Sequence, residues 1–462
     1  MRRLLLILCV TTAFTGCRVG PNYKRPDVPA PPQFRAGEAQ PSATSLGDAK
    51  WFDIFQDETL RGLIKESLQA NYDIRIAAQR VIEAEGQLTA TRSGLFPQLG
   101  AQGSAGRTGV NSPIQSTVGG FLAASWELDL FGKLRRATEA SQAELLSQQE
   151  NQKAVMQALV AEVASAYFSL REFDAELEYV RESIKTRTVS LGLVTARQQG
   201  GVATMLDVDQ AKTLVTTAQA YAALLEKGQE QTENLINLLL GKHPGPVARG
   251  KSLTEQPQPP QVPSGLPSAL LERRPDLRIA EQQLIAANAR VGVAKAAFFP
   301  SINLTAAGGY QTTDLMSFVD PTGVSHSLGR SGAAYSMGGM VDLPIFDAGR
   351  RSGNYKSAKA QREQLLINYQ KAINGAFRDV SDALIGYQKA KEYSRSQKLL
   401  VDTLSDQSRL SNLRYRGGVA SYLEVLDTER QRLTAEQDFA KAQRDELISV
   451  VQLYKALGGG WQ

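Results

Sequence analysis

The chain has few residues of the kind that carry out enzyme chemistry. Its only histidines are His243, in a proline-rich connection, and His326, in a segment predicted to be an exposed turn. Neither histidine has a nucleophile, a base and an orienting group at a fixed spacing around it. The two cysteines and two histidines also fail to form a ligand pattern for a metal. The sequence therefore predicts no enzyme, no metal site and no cofactor.

One cysteine does suggest covalent chemistry. A pair of arginines precedes the apolar run Leu4–Val10, and the segment after this run ends in Phe14–Gly16, directly before Cys17. This arrangement predicts a secretory signal over residues 1–16. Small residues before a cysteine also resemble the lipobox of bacterial lipoproteins, in which Cys17 would become the acylated first residue. A plain signal peptide followed by an incidental cysteine is the alternative.

Four carboxylates form the other candidate site. They lie just after two Gly-Gly pairs, near the start of predicted helices, and are Asp207, Asp209, Glu424 and Asp427. Acidic residues at a helix start stabilise the helix dipole, so capping is one role for them. A ring of carboxylates at the narrow end of a pore is the other.

A long helix must position these carboxylates. From Lys133 to Val194, apolar residues recur every three or four positions, with Arg187 as the one interruption. This heptad spacing predicts a single helix on the order of 100 Å long, which needs a partner helix. The glycines at Gly200-Gly201 allow the positive φ values that end such a helix.

The partner comes from the same chain, which contains two similar halves. Residues 131–136 are echoed at 346–351, and residues 197–203 are echoed at 414–420, so that Gly417-Gly418 repeats the first Gly-Gly pair. The sequence therefore predicts a tandem duplication.

Each half also contains a region with strand periodicity. In Val118–Leu130, apolar residues such as Leu122 and Trp126 alternate with polar residues such as Glu127. The pattern is typical of a membrane strand with an apolar outer face, although a soluble hairpin packed on a helix would also show it. Four such strands cannot close a barrel alone, and an open edge in lipid is forbidden by its unpaired backbone groups. Three chains supplying twelve strands would solve this problem.

Composition limits the remaining classes. Charged residues make up 21% of the chain, and the formal net charge of +5 includes the two signal arginines. Nucleic-acid binding is therefore not indicated. After the signal there is no run of eighteen apolar residues, so helical membrane spans are not expected.

Several sequence segments together resemble the outer-membrane efflux proteins of the TolC type, in the lipoprotein branch called NodT. The segments are CRVGPNYKRP (17–26), WELDLFG (126–132), GLPS (265–268), LERRPD (271–276), AAFFPS (296–301) and YKALGGGW (454–461). The resemblance implies an α+β membrane protein with a trimeric twelve-stranded β-barrel continuous with a twelve-helix α-barrel, and a mixed equatorial region. It also implies a location in the outer membrane, lipid-anchored and extending into the periplasm. The implied partners are a periplasmic adaptor and an inner-membrane pump.

The resemblance also assigns roles to the helix turns and to the carboxylates beyond them. The adaptor-facing residues would be Arg197, Gly200, Gly201, Val202, Ala203, Arg414, Gly417, Gly418, Val419 and Ala420. Glu424 and Asp427 match the spacing of the family's periplasmic constriction, whereas the first half offers Asp207 and Asp209 instead.

The expected organisation follows from these segments. The chain would comprise a signal (1–16), a lipid-anchored proline-rich leader (17–50), repeat 1 (51–240), a proline-rich connection (241–266), repeat 2 (267–457) and a tail (458–462). The expected hairpins lie at about 97–130 and 300–346, and the expected long helices at about 133–197, 203–240, 349–414 and 420–457. The function predicted is the exit duct of a tripartite efflux or secretion system. A periplasmic coiled-coil lipoprotein with a structural or adaptor role is the alternative, and it would lack the four alternating strands.

Overall fold

The computed structural model describes residues 18–29, 31–36, 45–108, 115–256, 267–313, 317–319, 325–327 and 331–461. The predicted signal and the lipidation candidate Cys17 lie outside these residues. The described residues fall into two compact units. The first contains residues 18–27, 80–148 and 279–369, and the second contains the rest.

Helices make up most of the described chain. The shorter helices are α1 (Trp51–Ile54), α2 (Glu58–Ala70), α3 (Tyr72–Ser93), α6 (Leu270–Arg273) and α7 (Pro275–Ala296). The longer helices are α4 (Lys133–Gln199), α5 (Met205–Leu239), α8 (Arg350–Arg416) and α9 (Tyr422–Ala456). Both α4 and α8 have 67 residues, and both α5 and α9 have 35. Thus both halves of the chain have long helices of the same lengths, in the same order.

The strands of the first unit are β1 (Gln98–Thr108), β2 (Gln115–Leu128), β3 (Ser301–Thr313), β4 (Ser317–Val319), β5 (Ser325–Ser327) and β6 (Ser331–Asp342). The main sheet is antiparallel with the order β1-β2-β3-β6. β4 and β5 pair with each other inside a connection that the sequence suggests is an irregular turn. His326 lies in β5, so its expected position in a turn is wrong.

The register of the main sheet separates apolar from polar side chains. Trp126 lies opposite Leu304, and Ala306 lies opposite Met337, so these side chains share one face. Glu127 lies opposite Asn303 on the other face. Several large residues of the apolar face are exposed in the single chain, namely Leu99, Leu122, Leu304, Tyr310, Tyr335, Met337 and Val341. The alternation in the sequence therefore produces a sheet with one uncovered apolar face.

The core of the second unit lies along α4. Its seam residues Val163, Leu170, Leu177, Val180 and Val194 are fully or almost fully buried. Arg187, which interrupts the seam, is also buried, and its Nη1 donates to the carbonyl of Leu214 at 3.1 Å. The buried residues form successive apolar clusters along the helix. Burying this stripe, rather than local helix propensity, stabilises so long a helix.

The N-terminal leader is extended over residues 18–29, and the structure shows that it packs against its own unit. The Val19 N–H donates to the Phe131 carbonyl at 3.1 Å, and Tyr23 and Arg25 both bond the Glu281 carboxylate. The chain terminus is also packed, because Gln157 Nε2 donates to the Gly459 carbonyl at 2.8 Å in the second unit. Neither segment is a free tether in its described part.

Candidate functional site

The first candidate turn joins α4 to α5 and has a Schellman cap. Gly201 has a φ of 73°, which an L side chain rarely adopts. The Val202 N–H donates to the Arg197 carbonyl, and the Gly201 N–H donates to the Gln198 carbonyl, both at 2.9 Å. These bonds satisfy carbonyls that the end of α4 would leave without partners.

The turn between α8 and α9 repeats this geometry. Gly418 has a φ of 74°, the Val419 N–H donates to the Arg414 carbonyl at 3.0 Å, and the Gly418 N–H donates to the Tyr415 carbonyl at 3.0 Å. In each pair only the second glycine has a positive φ. The second glycine of each pair supplies the positive φ that ends the helix, and Gly200 and Gly417 are not required by backbone conformation.

The structure brings the two turns together in one site. The Arg197 guanidinium lies over the Tyr415 ring, 4.9 Å from its centre, and Tyr415 packs on Tyr422 with 5.2 Å between ring centres. The two tyrosines belong to an apolar cluster formed by Leu191, Val194, Val208, Ala211, Leu214, Tyr415, Tyr422, Val425 and Leu426. We refer to residues 197–207 and 414–427 as the paired tip. Tyr415 and Tyr422 were not singled out from the sequence, because nothing local shows that the two turns meet.

Apolar side chains project from the paired tip. Val202 and Val419 occupy equivalent positions in the two turns and are each 71% exposed. Met205, Leu206 and Leu423 in the following helix turns are also exposed. Ala203 and Ala420 are half-buried. In the single chain these side chains form an uncovered apolar patch at the paired tip.

Asp207 caps α5. Its Oδ2 accepts from the Thr204 backbone N–H and from the Thr204 hydroxyl, both at 2.8 Å, while Thr204 Oγ1 accepts from the Asp207 N–H. This reciprocal capping box satisfies N–H groups at the helix start. The hydrogen bonds from Thr204 hold the pKa of Asp207 below its ordinary value. Capping is thus one role of Asp207 in the structure.

Glu424 occupies the equivalent position of the second turn, 217 residues after Asp207, but it makes a different contact. The Ser421 side chain makes no capping bond, and Glu424 Oε1 lies 3.4 Å from the Nε of Arg414. The carboxylate therefore ties the end of α8 to the start of α9.

Asp427 and Asp209 complete the candidate carboxylates. Asp427 accepts from Arg430 Nη2 at 2.8 Å and from Gln431 Nε2 at 2.6 Å, and the hydrogen bond from Arg430 lowers its pKa. Asp209 is exposed. Burial raises the pKa of Tyr422 on α9 to about 12, with further contributions from Tyr415 and Glu429 and a smaller one from the charge of Asp207.

The structure adds a site in the first unit that sequence reasoning missed. Arg136, 1% exposed, donates from Nε to the Val19 carbonyl and from Nη2 to the Gly20 carbonyl and to Asn22 Oδ1 at 2.7 Å. Its Nη1 bonds Glu139, which also lies 4.0 Å from Arg18. Arg136 thus holds the residues that directly follow Cys17. The repeated Arg-Arg pair is a sequence signal, but it does not indicate which arginine is buried.

The described part of the chain has neither a metal cluster nor an apolar helix span. Among these residues, no group of three or more His, Cys, Asp or Glu side chains is arranged to hold a metal ion. Within the same ranges, no helix is both long and apolar enough to cross a bilayer.

The fold and the paired tip define a class. In both halves of the chain a strand pair precedes a 67-residue helix, which turns back through a Schellman cap into a 35-residue helix. The sheet also has the alternating strands that a coiled-coil lipoprotein would lack.

Comparison with known proteins identifies the family. Residues 63–242 and 266–459 match the profile of the outer membrane efflux protein family. The chain is 33% identical over 464 residues to the cation efflux system protein CusC of Escherichia coli O6:H1, covering 99% of each protein. It is 37% identical over 463 residues to the solvent efflux pump outer membrane protein SrpC of Pseudomonas putida, covering 96% of each. The chain belongs to the outer membrane efflux protein family.

Solved structures agree with this assignment. The open state of the Neisseria gonorrhoeae MtrE outer membrane channel matches with a TM-score of 0.85 and 30% identity, covering 96% of this chain and 99% of that chain. The outer-membrane channel OprN matches with a TM-score of 0.86 and 28% identity, covering 96% of this chain and 100% of that chain.

Proposed function

We propose that this protein is the outer-membrane exit duct of a tripartite efflux system. In this proposal three chains each contribute four strands to a twelve-stranded barrel, and their long helices continue it as a twelve-helix tunnel into the periplasm. The geometry of the sheet is the main support for this proposal. Its apolar face is uncovered, and the outer strands β1 and β6 each pair with a neighbour on one side only in the described sheet. Joining these edges between chains would satisfy their backbone groups in lipid.

The lipid anchor belongs to the same proposal. Cys17 would be acylated after removal of the signal, and the Arg136 contacts would hold residues 18–22 beside the start of α4. Mass spectrometry of the mature N-terminus tests this, since an acylated Cys17 adds the mass of its fatty acids. An unmodified N-terminus at another residue would contradict it.

The paired tip would be the end that receives the adaptor. Its exposed apolar side chains, at equivalent positions of two turns, provide a surface that three chains would repeat around an axis. An inner-membrane pump would supply the energy, and the duct itself would be passive. A bound adaptor would select an open state that is rare in the isolated duct.

Asp207, Asp209, Glu424 and Asp427 would form the periplasmic gate. The Arg414–Glu424 ion pair joins the end of α8 to the start of α9, so it favours one arrangement of the tip. Removing the carboxylates would weaken this restraint and remove a ring of negative charge. We therefore expect the Glu424→Ala, Asp427→Ala double variant to raise single-channel conductance of the isolated protein in a lipid bilayer.

A matched control keeps this test specific. Asp402→Ala with Asp406→Ala also removes two carboxylates, and Asp406 bonds Arg409 three residues later just as Asp427 bonds Arg430. These residues lie on α8 before the tip, and the control should conduct like the wild type. Unchanged conductance in the Glu424, Asp427 variant would count against the gate.

A further inference from the structure

A buried charged layer interrupts the apolar packing of the second unit. Glu172 and Glu176 lie one turn apart on the same face of α4, and they are 3% and 1% exposed. An apolar cluster containing Leu177 and Val180 borders them on one side, and a cluster containing Leu170 borders them on the other. Two carboxylates are therefore enclosed between apolar layers.

Helices α5 and α9 supply the polar groups that face this pair. From α9, Arg444 Nη1 bonds Glu172 Oε2, and Lys441 Nζ lies 3.7 Å from Glu176 Oε1. From α5, the Tyr221 hydroxyl donates to Glu176 Oε2 at 2.9 Å. We call these five residues the carboxylate layer. At this level three long helices meet through charged and polar groups.

The two cations are shared with carboxylates outside the layer. Arg444 Nη2 lies 2.8 Å from Asp445, and Lys441 Nζ lies 4.0 Å from Asp438. Both cations are also more exposed than the buried carboxylates, with side-chain exposures of 27% for Arg444 and 42% for Lys441. Two partly solvated cations therefore serve four carboxylates, which leaves the buried pair short of positive charge.

The charge balance of the layer depends on pH in the neutral range. Burial, opposed by the charge of Arg444 and reinforced by the like charge of Glu176, raises the pKa of Glu172 to about 7. Burial and the hydrogen bond to Glu176 raise the pKa of Tyr221, so its hydroxyl remains a donor throughout this range. Glu172 therefore changes charge near neutral pH.

We propose that the carboxylate layer is a proton-controlled latch between α4 and α9. With one proton on the Glu172–Glu176 pair, a single negative charge is buried and the helices pack closely. When that proton is lost, two negative charges one turn apart repel each other and require water. The helices then separate more readily at this level.

The sign of the pH dependence follows from linkage. In a solvated, opened layer the carboxyl of Glu172 titrates near the ordinary value of about 4.3. The packed layer holds its proton to higher pH, so packing is most favoured in acid. That advantage is lost as pH rises from about 4.3 to about 7, and it is constant above that range. The latch is a property of helix packing and does not depend on the proposed transport function.

Hydrogen exchange of the purified full chain in detergent tests the latch without any transport assay. Protection factors of amides in residues 170–180 and 438–448 are measured at pH 5.5, 7.0 and 8.5, with the intrinsic pH dependence of exchange removed. We expect wild-type protection in both segments to fall by about tenfold or more from pH 5.5 to 8.5, since one unit of pKa difference corresponds to a tenfold change. Protection that is independent of pH would overturn the latch.

Isosteric variants test which residues are responsible. Glu172→Gln keeps the shape of the layer and removes its titration, so its protection should stay high and constant across this pH range. Glu176→Gln removes only the like charge and leaves Glu172 buried, so its protection should still fall as pH rises, but by less than in the wild type. Glu178→Gln, an exposed substitution on the same helix, should behave like the wild type. A fall in protection that persists undiminished in Glu172→Gln would also overturn the proposal.

Discussion

Asp57 joins three separate segments of the second unit through a single carboxylate. Its Oδ1 accepts from the Thr59 and Leu60 N–H groups and caps α2. Its Oδ2 accepts from the hydroxyl of Tyr167 on α4 at 2.8 Å, and from the Lys251 N–H and Gln256 Nε2 in the connection between the halves. The described part of the proline-rich connection is thus fixed to α2 and α4.

We expect Asp57→Asn to destabilise the protein by about 1–3 kcal/mol at pH 7, because an amide cannot accept all of these bonds. Burial raises the pKa of Asp57, but the hydrogen bonds from Gln256, Tyr167 and the helix start outweigh it, and the net pKa is lowered. The stabilisation is therefore present above the ordinary Asp value of about 3.9 and is lost as pH falls through the lower folded value. Thermal unfolding at pH 7 and below pH 3 measures this difference.

The control for Asp57 is Asp53→Asn, which changes an exposed carboxylate four residues earlier. It should leave the midpoint of thermal unfolding unchanged at both pH values. The charge of Asp57 would not have the assigned role if Asp57→Asn lowered the midpoint of thermal unfolding by as much below pH 3 as at pH 7.

Arg136 gives a second prediction for a single residue. Its planar guanidinium bonds two carbonyls, an amide and a carboxylate at once, which a lysine cannot do. Arg136→Lys should therefore release the leader and speed tryptic cleavage after Lys24. The neighbouring Arg135→Lys, whose guanidinium bonds Asp129 instead, is the control. Equal cleavage rates in the two variants would show that Arg136 does not hold the leader in place.

These residues show which features could be predicted from sequence. The turns at Gly201 and Gly418 were predictable, because a long seam and a glycine are local signals. The enclosed positions of Arg136, Asp57 and Glu172 were not, because each depends on segments far apart in the chain meeting in space. Arg187 is a partly predictable case. The sequence shows that it interrupts the apolar seam, but it does not show the hydrogen bond to the Leu214 carbonyl.

At the scale of the elements, the seam largely determines the helices. It predicts a helix at about 133–197, and α4 spans Lys133–Gln199. The seam does not predict the carboxylate layer, because the groups that face Glu172 and Glu176 come from the separate helices α5 and α9. The strand pattern likewise predicts the two faces of β2 and β3, but not the small pair β4 and β5.

The Schellman turns give a prediction at this scale. Gly201→Ala introduces a side chain at a positive φ, with no atom within 4 Å of the new Cβ, so its cost is conformational. We expect the paired tip to lose about 1 kcal/mol of local stability, or about fivefold in hydrogen-exchange protection of residues 197–209.

Gly200→Ala is the matched control for this turn. The position has an ordinary φ, and the nearest atoms to an added Cβ are carbonyl oxygens 3.6 Å away. Its protection should equal or exceed that of the wild type. If both variants lost protection equally, the positive φ of Gly201 would not be the cause. The same comparison applies to Gly418 and Gly417 in the second turn.

At the scale of the whole molecule, a membrane barrel and a soluble hairpin place different demands on the uncovered apolar face of the sheet. Met337 and Ser336 are adjacent on β6 and both exposed, yet they lie on opposite faces. In a lipid-embedded barrel, Met337 would face lipid and Ser336 would face the lumen. In a soluble hairpin that keeps this face in water, a charge at either position would be tolerated equally.

Met337→Lys should therefore hinder assembly, because a lysine facing lipid near the bilayer midplane costs about 2–4 kcal/mol. Ser336→Lys should assemble like the wild type, since its charge would enter water in the lumen. Heat-modifiable migration on gels and native mass spectrometry in detergent measure the assembled fraction and its copy number, expected to be three. Equal assembly of the two variants, or a wild-type mass of one chain, would contradict a barrel closed by several copies.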